Sequence, residues 1–186
     1  ELIYGLEYRT EPVATPYSVN NNNRIIIPDN LYIIGTMNTA DKSIGGIDYA
    51  IRRRFLFFEQ LPDVKVIQKY KVEKGAEQLE LNAQACKLFE NVEKLFEKEY
   101  LSPEYRKEDV QIGHTYFLVD SKYKLMKRFE YQIIPILKEY YKDGIISFNI
   151  SDATDGFSGF LNCIAGKINM TSQREDIEKI FNDLIV

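Results

Sequence analysis

Residues 31–58, LYIIGTMNTADKSIGGIDYAIRRRFLFF, constrain what this chain can fold into more than any other stretch. Leu31 to Gly35 is a short apolar run bounded by polar residues, the pattern of a strand buried on both faces. The polar cluster Asn38, Thr39, Asp41 and Ser43 follows. A short helical segment then runs into Arg52, Arg53 and Arg54, and a second apolar run, Phe55 to Phe58, reads as another strand. Open α/β sheets place their ligands just past the carboxyl ends of buried strands, so the functional residues are expected here. Three adjacent arginines entering an aromatic strand also put one guanidinium near the core, which is odd for a plain surface.

With 186 residues the chain suits one or two domains and can bury a proper core. A net charge of −4 argues against nucleic-acid binding by the whole surface, though not against a local basic patch. Two isolated cysteines, Cys86 and Cys163, and a single histidine are too few for a disulfide framework or a zinc site. No apolar run approaches the roughly 20 residues that span a bilayer, and no signal peptide is visible, so a cytoplasmic protein is expected. The opening segment ELIYGLEYR reads as the end of a helix, and Glu1 is expected to fall inside a larger domain.

In chain order, residues 1–8 are expected to be a helix tail. Val13–Val19 and Arg24–Ile27 are expected to pair as a hairpin with a loose, exposed tip over Asn20–Asn23, because asparagine tolerates the left-handed turn region. Within the helix before the arginines, Asp48 and Arg52 stand four apart and can pair along one face; Arg53 and Arg54 have no such local partner. From residue 63 the pattern turns helical. Ala85, Leu88, Phe89, Val92, Leu95 and Phe96 repeat at three and four, as do Leu125, Phe129, Ile133, Leu137 and Tyr140 in 122–143. Pro135 should kink that second helix or start a new one, and Gly144 should stop it. Residues 151–159 read as a loop before a short helix from Phe160 to Ala165, and 173–185 as a closing amphipathic helix. Between the long helices, QIGHTYFLVD (111–120) carries His114, readable as a hydrogen-bonded packing residue or as a ligand.

No nucleophile–base pair stands out, and the phosphate-cradling G-x-x-x-x-G-K-[ST] is absent, as is an apolar strand ending in an Asp-Glu pair to hold magnesium. The chain by itself should not hydrolyse a nucleotide. A polar group at a strand end beside arginines on a helix end is instead the kit for sensing a γ-phosphate. Arginine suits that work because its planar fork stays charged and binds phosphate bidentately.

The run IIGTMNTADKSIGGIDYAIRRRF closely resembles the segment of McrB-type AAA+ proteins that holds the MNTAD signature, sensor 1 and the arginine finger. IGHTYF (112–117) resembles that family's IGHSYF, and FEYQIIPILKEYYKDG resembles the helix after it. The resemblance covers about residues 25–144. It implies an α/β fold: the C-terminal part of an AAA+ core, with parallel-sheet strands, over 1–61, and a mainly α-helical lid with a C-terminal extension over 62–186. It also implies a motor that hydrolyses GTP (or ATP) with Mg2+, forms a homo-oligomeric ring and serves a modification-dependent DNA restriction system with an McrC-like nuclease subunit. Asn38 becomes sensor 1 and Arg53 the foremost trans-acting finger, with Arg52 and Arg54 as fallbacks. Asn38, Thr39, Asp41, His114 and Thr115 become the nucleotide-facing set.

The family's usual arginine after MNTAD is Lys42 here, and Phe117 stands where other AAA+ proteins carry a sensor 2 arginine. The phosphate loop and the magnesium-binding strand are expected upstream of Glu1, so the chain is expected to be a C-terminal half-module. GTP preference is implied by resemblance alone: a sensor 1 strand end sits by the γ-phosphate, away from the base, so Asp41 is expected to cap a helix or touch an adjacent subunit. Two rivals remain open. One is a MoxR-like or dynein-related ATPase that remodels proteins; the other is a non-enzymatic interaction module.

Overall fold

The structure, a computed structural model, describes residues 2–37, 49–149, 156–167 and 174–186. It divides into two units, Glu1–Gln60 and Leu61–Val186.

In the first unit a single turn, α1 (Leu2–Gly5), precedes a hairpin of β1 (Val13–Val19) and antiparallel β2 (Asn22–Ile25). Val13 pairs with Ile25, Ala14 with Arg24 and Val19 with Asn22. The tip is the two-residue turn Asn20-Asn21, both residues left-handed at φ 51° and 60°, which matches the right-handed twist of the flanking strands. The register is irregular between Ala14 and Val19, where Pro16 has no N–H to give the ladder. Arg9 staples the segment after β2: its Nη1 donates to the carbonyls of Pro28 (3.1 Å) and Leu31 (2.9 Å). A short helix, α2 (Tyr49–Arg52), leads into the arginines.

Neither apolar run beside this helix is a strand. Residues 31–37 and 55–58 carry no ladder bonds, and Tyr32, Ile34, Leu56 and Phe58 are 85%, 95%, 86% and 89% exposed. An apolar run becomes a buried strand only when neighbours supply hydrogen bonds at both edges and layers cover both faces. Among the described residues the sheet is the hairpin alone, and it offers neither run a partner.

The second unit is helical. Asp63 caps α3 (Val64–Gln68) by accepting the Lys65 N–H at 2.8 Å. The 18-residue α4 (Ala76–Glu93) starts after left-handed Gly75 and buries Ala85, Leu88, Phe89 and Val92. A 3-10 turn over Lys94–Phe96 then carries Leu95 and Phe96 into the same core. Two buried amides fasten α4 to the loops beside it. Gln78 Nε2 donates to Asn82 Oδ1 (2.8 Å) and the Val119 carbonyl (3.0 Å), and Asn82 Nδ2 donates to the carbonyls of Gln68 (3.2 Å) and Tyr70 (2.8 Å).

After α5 (Lys107–Val110) and a 3-10 turn over His114–Phe117 comes α6 (Lys122–Arg128), capped by Ser121. It passes through a π turn, Phe129–Ile133, into α7 (Ile134–Lys142). Pro135 explains the wide turn. It has no N–H for Tyr131 and its ring crowds that carbonyl, so bonds that reach one residue further carry the helix past the gap. Left-handed Gly144 (φ 70°) ends α7 in a Schellman pair: Ile145 N–H to the Tyr140 carbonyl (2.9 Å) and Gly144 N–H to that of Tyr141 (3.2 Å).

Helix α8 (Gly156–Ile164) begins four residues before the expected Phe160. The glycines that suggest a loop are there for packing against α9 (Arg174–Ile185). A Cβ on Gly156 would stand 2.6 Å from the Asp183 Cβ, and one on Gly159 3.3 Å from Ile180 Cγ1. Ala usually improves a helix by about 1 kcal/mol over Gly. Overpacking costs about 1–3 kcal/mol, and the obstacle at Gly156 is the root of a side chain, so crowding outweighs propensity. Gly156→Ala is therefore expected to lower the urea midpoint of the helical unit, and an unchanged or higher midpoint would show that α8 and α9 can separate freely.

Candidate functional site

The residues singled out by sequence fall into three places. Asn38, Thr39 and Asp41, with Lys42, Ser43 and Asp48, lie outside the described residues. Arg52, Arg53 and Arg54 close α2, with the Arg53 N–H on the Tyr49 carbonyl (3.2 Å) and the Arg54 N–H on that of Ile51 (3.0 Å). His114 and Thr115 open the 3-10 turn of the helical unit.

The three arginines differ in what they hold. Arg54 is drawn inward. Its Nη1 donates to the Ala50 carbonyl at 2.7 Å, its Nη2 pairs with the Glu7 carboxylate, and its side chain is only 13% exposed. It thus has a partner that sequence spacing does not reveal, since Glu7 lies 47 positions upstream. Arg52 is exposed, with Cζ 6.0 Å from the centre of the Phe57 ring, at the outer limit of a cation–π contact. Arg53 is exposed, and its guanidinium makes no hydrogen bond or ion pair among the described residues. Of the three guanidiniums, those of Arg52 and Arg53 make no hydrogen bond among the described residues, and of these two only that of Arg52 lies near a ring.

In the 3-10 turn, His114 is half-buried and its Nδ1 accepts the Asp63 N–H at 3.1 Å. The ring's remaining proton is then on Nε2. Thr115 is exposed, whereas Phe117 is fully buried with its ring edge-on to Phe89 at 5.2 Å. Phe117 is therefore a core anchor and cannot meet a phosphate. An arginine does serve this turn, from an unforeseen place: Arg128 Nη1, at the end of α6, donates to the carbonyls of Thr115 (2.8 Å), Tyr116 (3.2 Å) and Leu118 (3.1 Å). No spacing rule links an arginine to carbonyls 10 to 13 positions back across a loop, which is why the sequence does not announce it.

Chemistry by the chain's own nucleophiles finds little support. Burial pushes both thiols, Cys86 and Cys163, above the usual range and away from the reactive thiolate. Asp109 and Asp120 are held below the usual carboxylate range by hydrogen bonds from Arg106 and Lys124, the signature of surface pairs. Among the described residues no three His, Cys, Asp or Glu side chains converge as cation ligands. No described helix is long and apolar enough to cross a membrane.

Comparison with known proteins meets this geometry at the helical unit. Residues 86–147 match the family described as McrB, alpha-helical lid domain. Over 142 residues the chain is 35% identical to the Type IV methyl-directed restriction enzyme EcoKMcrB subunit of Escherichia coli (strain K12). That alignment takes in 70% of this chain and 30% of the relative, so the chain spans less than a third of the length of the protein it matches. The family match begins in the second half of α4 and runs through the 3-10 turn at His114 and the π-turn helix. The chain is McrB-type and carries the helical lid of that family.

Proposed function

We propose that this chain supplies the sensor, arginine-finger and lid portion of an McrB-like AAA+ motor that hydrolyses GTP in a restriction system acting on modified DNA. The observation that carries the reading is the sorting of the arginines: Arg54 is committed to Glu7 and the Ala50 carbonyl, while the Arg53 fork beside it is unengaged among the described residues. A buried guanidinium that anchors α2 and an exposed one that reaches outward are what a trans-acting finger needs, because the reaching group must be aimed by a fixed neighbour.

On this reading residues 1–61 belong to the core half and 62–186 to the lid and its extension. The runs 31–35 and 55–58 become parallel-sheet strands when the strands of the other half flank them, which would cover the side chains now exposed. Asn38 acts as sensor 1, orienting the attacking water against the γ-phosphate. Thr39 and Asp41 join it in the nucleotide-facing set, and Arg53 neutralises charge developing on the nucleotide of the neighbouring copy in a homo-oligomeric ring. Arg52 and Arg54 are replacements only if Arg53 proves dispensable. The phosphates and Mg2+ are held by residues that these 186 do not include, since the phosphate-loop pattern is absent from the sequence. An McrC-like nuclease subunit and DNA are the partners implied by the family resemblance.

The test is steady-state turnover of GTP and ATP by the chain joined to the phosphate-binding half of its module, with the nuclease subunit present. GTP turnover well above ATP turnover is the expected result. Turnover of ATP alone, indifferent to the nuclease, would move the protein to the remodelling ATPases.

A further inference from the structure

The one histidine of the sequence joins two points 51 positions apart, and both are built. The 3-10 turn that carries it is immobilised on its own side. Phe117 is locked into the core against Phe89, Arg128 grips the carbonyls of Thr115, Tyr116 and Leu118, and Gln78 holds that of Val119. From this fixed turn the imidazole reaches the backbone of Asp63. Asp63 is the cap of α3, the first helix of the lid, and stands two residues past Leu61, where the helical unit begins. The covalent path from Arg52–Arg54 to the lid therefore passes through the very amide that His114 holds. Helix α3 is five residues long; Ile67 and the Gln68 carbonyl, held by Asn82, fix its far end, and the bond from His114 fixes its cap.

We infer that His114 is a positioning residue: by accepting the Asp63 N–H it latches the first turn of the lid, and GTP turnover by the completed module depends on that latch. The inference rests on the hydrolytic reading above, but the latch itself can be observed without hydrolysis. An Nδ1 acceptor is required, and the Oδ1 of asparagine occupies nearly the same place, whereas alanine offers nothing there.

Two variants, His114→Ala and His114→Asn, made in the chain joined to its phosphate-binding half, decide the matter by two readouts. In His114→Ala, amide exchange at Asp63 and Lys65–Ile67 should rise about tenfold, the size of one lost hydrogen bond, while Phe89 and Val92 in α4 keep their protection. Over the same pair kcat/KM for GTP should fall about tenfold in His114→Ala and return in His114→Asn. Unchanged exchange at Asp63 overturns the latch. Faster exchange with wild-type kcat/KM overturns the positioning role, leaving a local tether that hydrolysis ignores. Wild-type protein that turns over neither nucleotide sinks the hydrolytic reading and the positioning role with it, and the exchange readout tells that failure apart from a missing latch.

Discussion

On the proposed function, rings in which every subunit carries Arg53→Ala are expected to lose GTP turnover by about 10³-fold or more, because an arginine finger stabilises charge that exists only in the transition state. Doping such subunits into wild-type rings should depress turnover in step with their share of the mixture if the sites fire independently, and beyond it if they are coupled, since each one disables its neighbour's site while its own still receives a wild-type finger. Arg54→Ala gives the opposite profile. It removes a charge-assisted hydrogen bond to the Ala50 carbonyl and the pair with Glu7, both internal to the first unit. Hydrogen bonds to charged groups contribute about 1.5–3 kcal/mol, discounted here because Glu7 is 47% exposed and half solvated already. The expected outcome is a lower unfolding midpoint with residual activity in the fraction still folded. Should the two substitutions exchange roles, with Arg54 costing rate and Arg53 costing stability, the trans-acting assignment would have to move one residue along.

Phe129→Ala is expected to be the most damaging single truncation in the lid. The ring has no exposure, and its centre lies 5.6 Å from that of Phe160 in α8 and 5.7 Å from that of Phe181 in α9. It thus joins the start of the π turn to both C-terminal helices. Removing a buried Phe costs about 3–5 kcal/mol, counting the cavity left behind, against a total of about 5–15 kcal/mol for a typical domain. Neighbouring rings cannot collapse into the gap without breaking their own contacts. Urea unfolding followed by far-ultraviolet circular dichroism should show the midpoint falling sharply. A shift below about 1 kcal/mol would mean that α8 and α9 are held by something other than this aromatic cluster.

Where the signal in the sequence is local, the structure follows it. The repeat of Leu88, Phe89, Val92 and Leu95 gives a buried stripe because 3.6 residues per turn is a property of the backbone, independent of what the helix packs against. The hairpin is legible for the same reason, since left-handed φ values suit asparagine itself, although its tip is the tight pair Asn20-Asn21 and not the loose run expected over Asn20–Asn23. The failures are nonlocal. Whether Leu31–Gly35 is a strand depends on chains beside it. That Gly156 and Gly159 are contact points depends on where α9 passes. The commitments of Arg54 to Glu7 and of His114 to Asp63 close distances of 47 and 51 positions. Pro135 signals an interruption, but only the packing on both sides decides that one widened turn absorbs it. As for the candidate site, the arginines and the IGHTYF turn could be located in advance, yet what each arginine touches could not.

The widened turn at Phe129–Ile133 has a consequence for how this helix tolerates change in length. A π turn closes on bonds five residues apart where an α turn closes on four, so it takes up one extra residue over nearly the same rotation and leaves the faces of α6 and α7 in phase. Deleting one residue from 129–133 is expected to let the turn tighten to a regular α turn with Leu137 still facing the core, whereas a further insertion would swing Leu137 aside by about 100°. Exchanging Pro135 for a residue with an N–H leaves the residue count unchanged. In chains built on this lid the spacing from Phe129 to Leu137 should therefore shorten by one residue more readily than it lengthens.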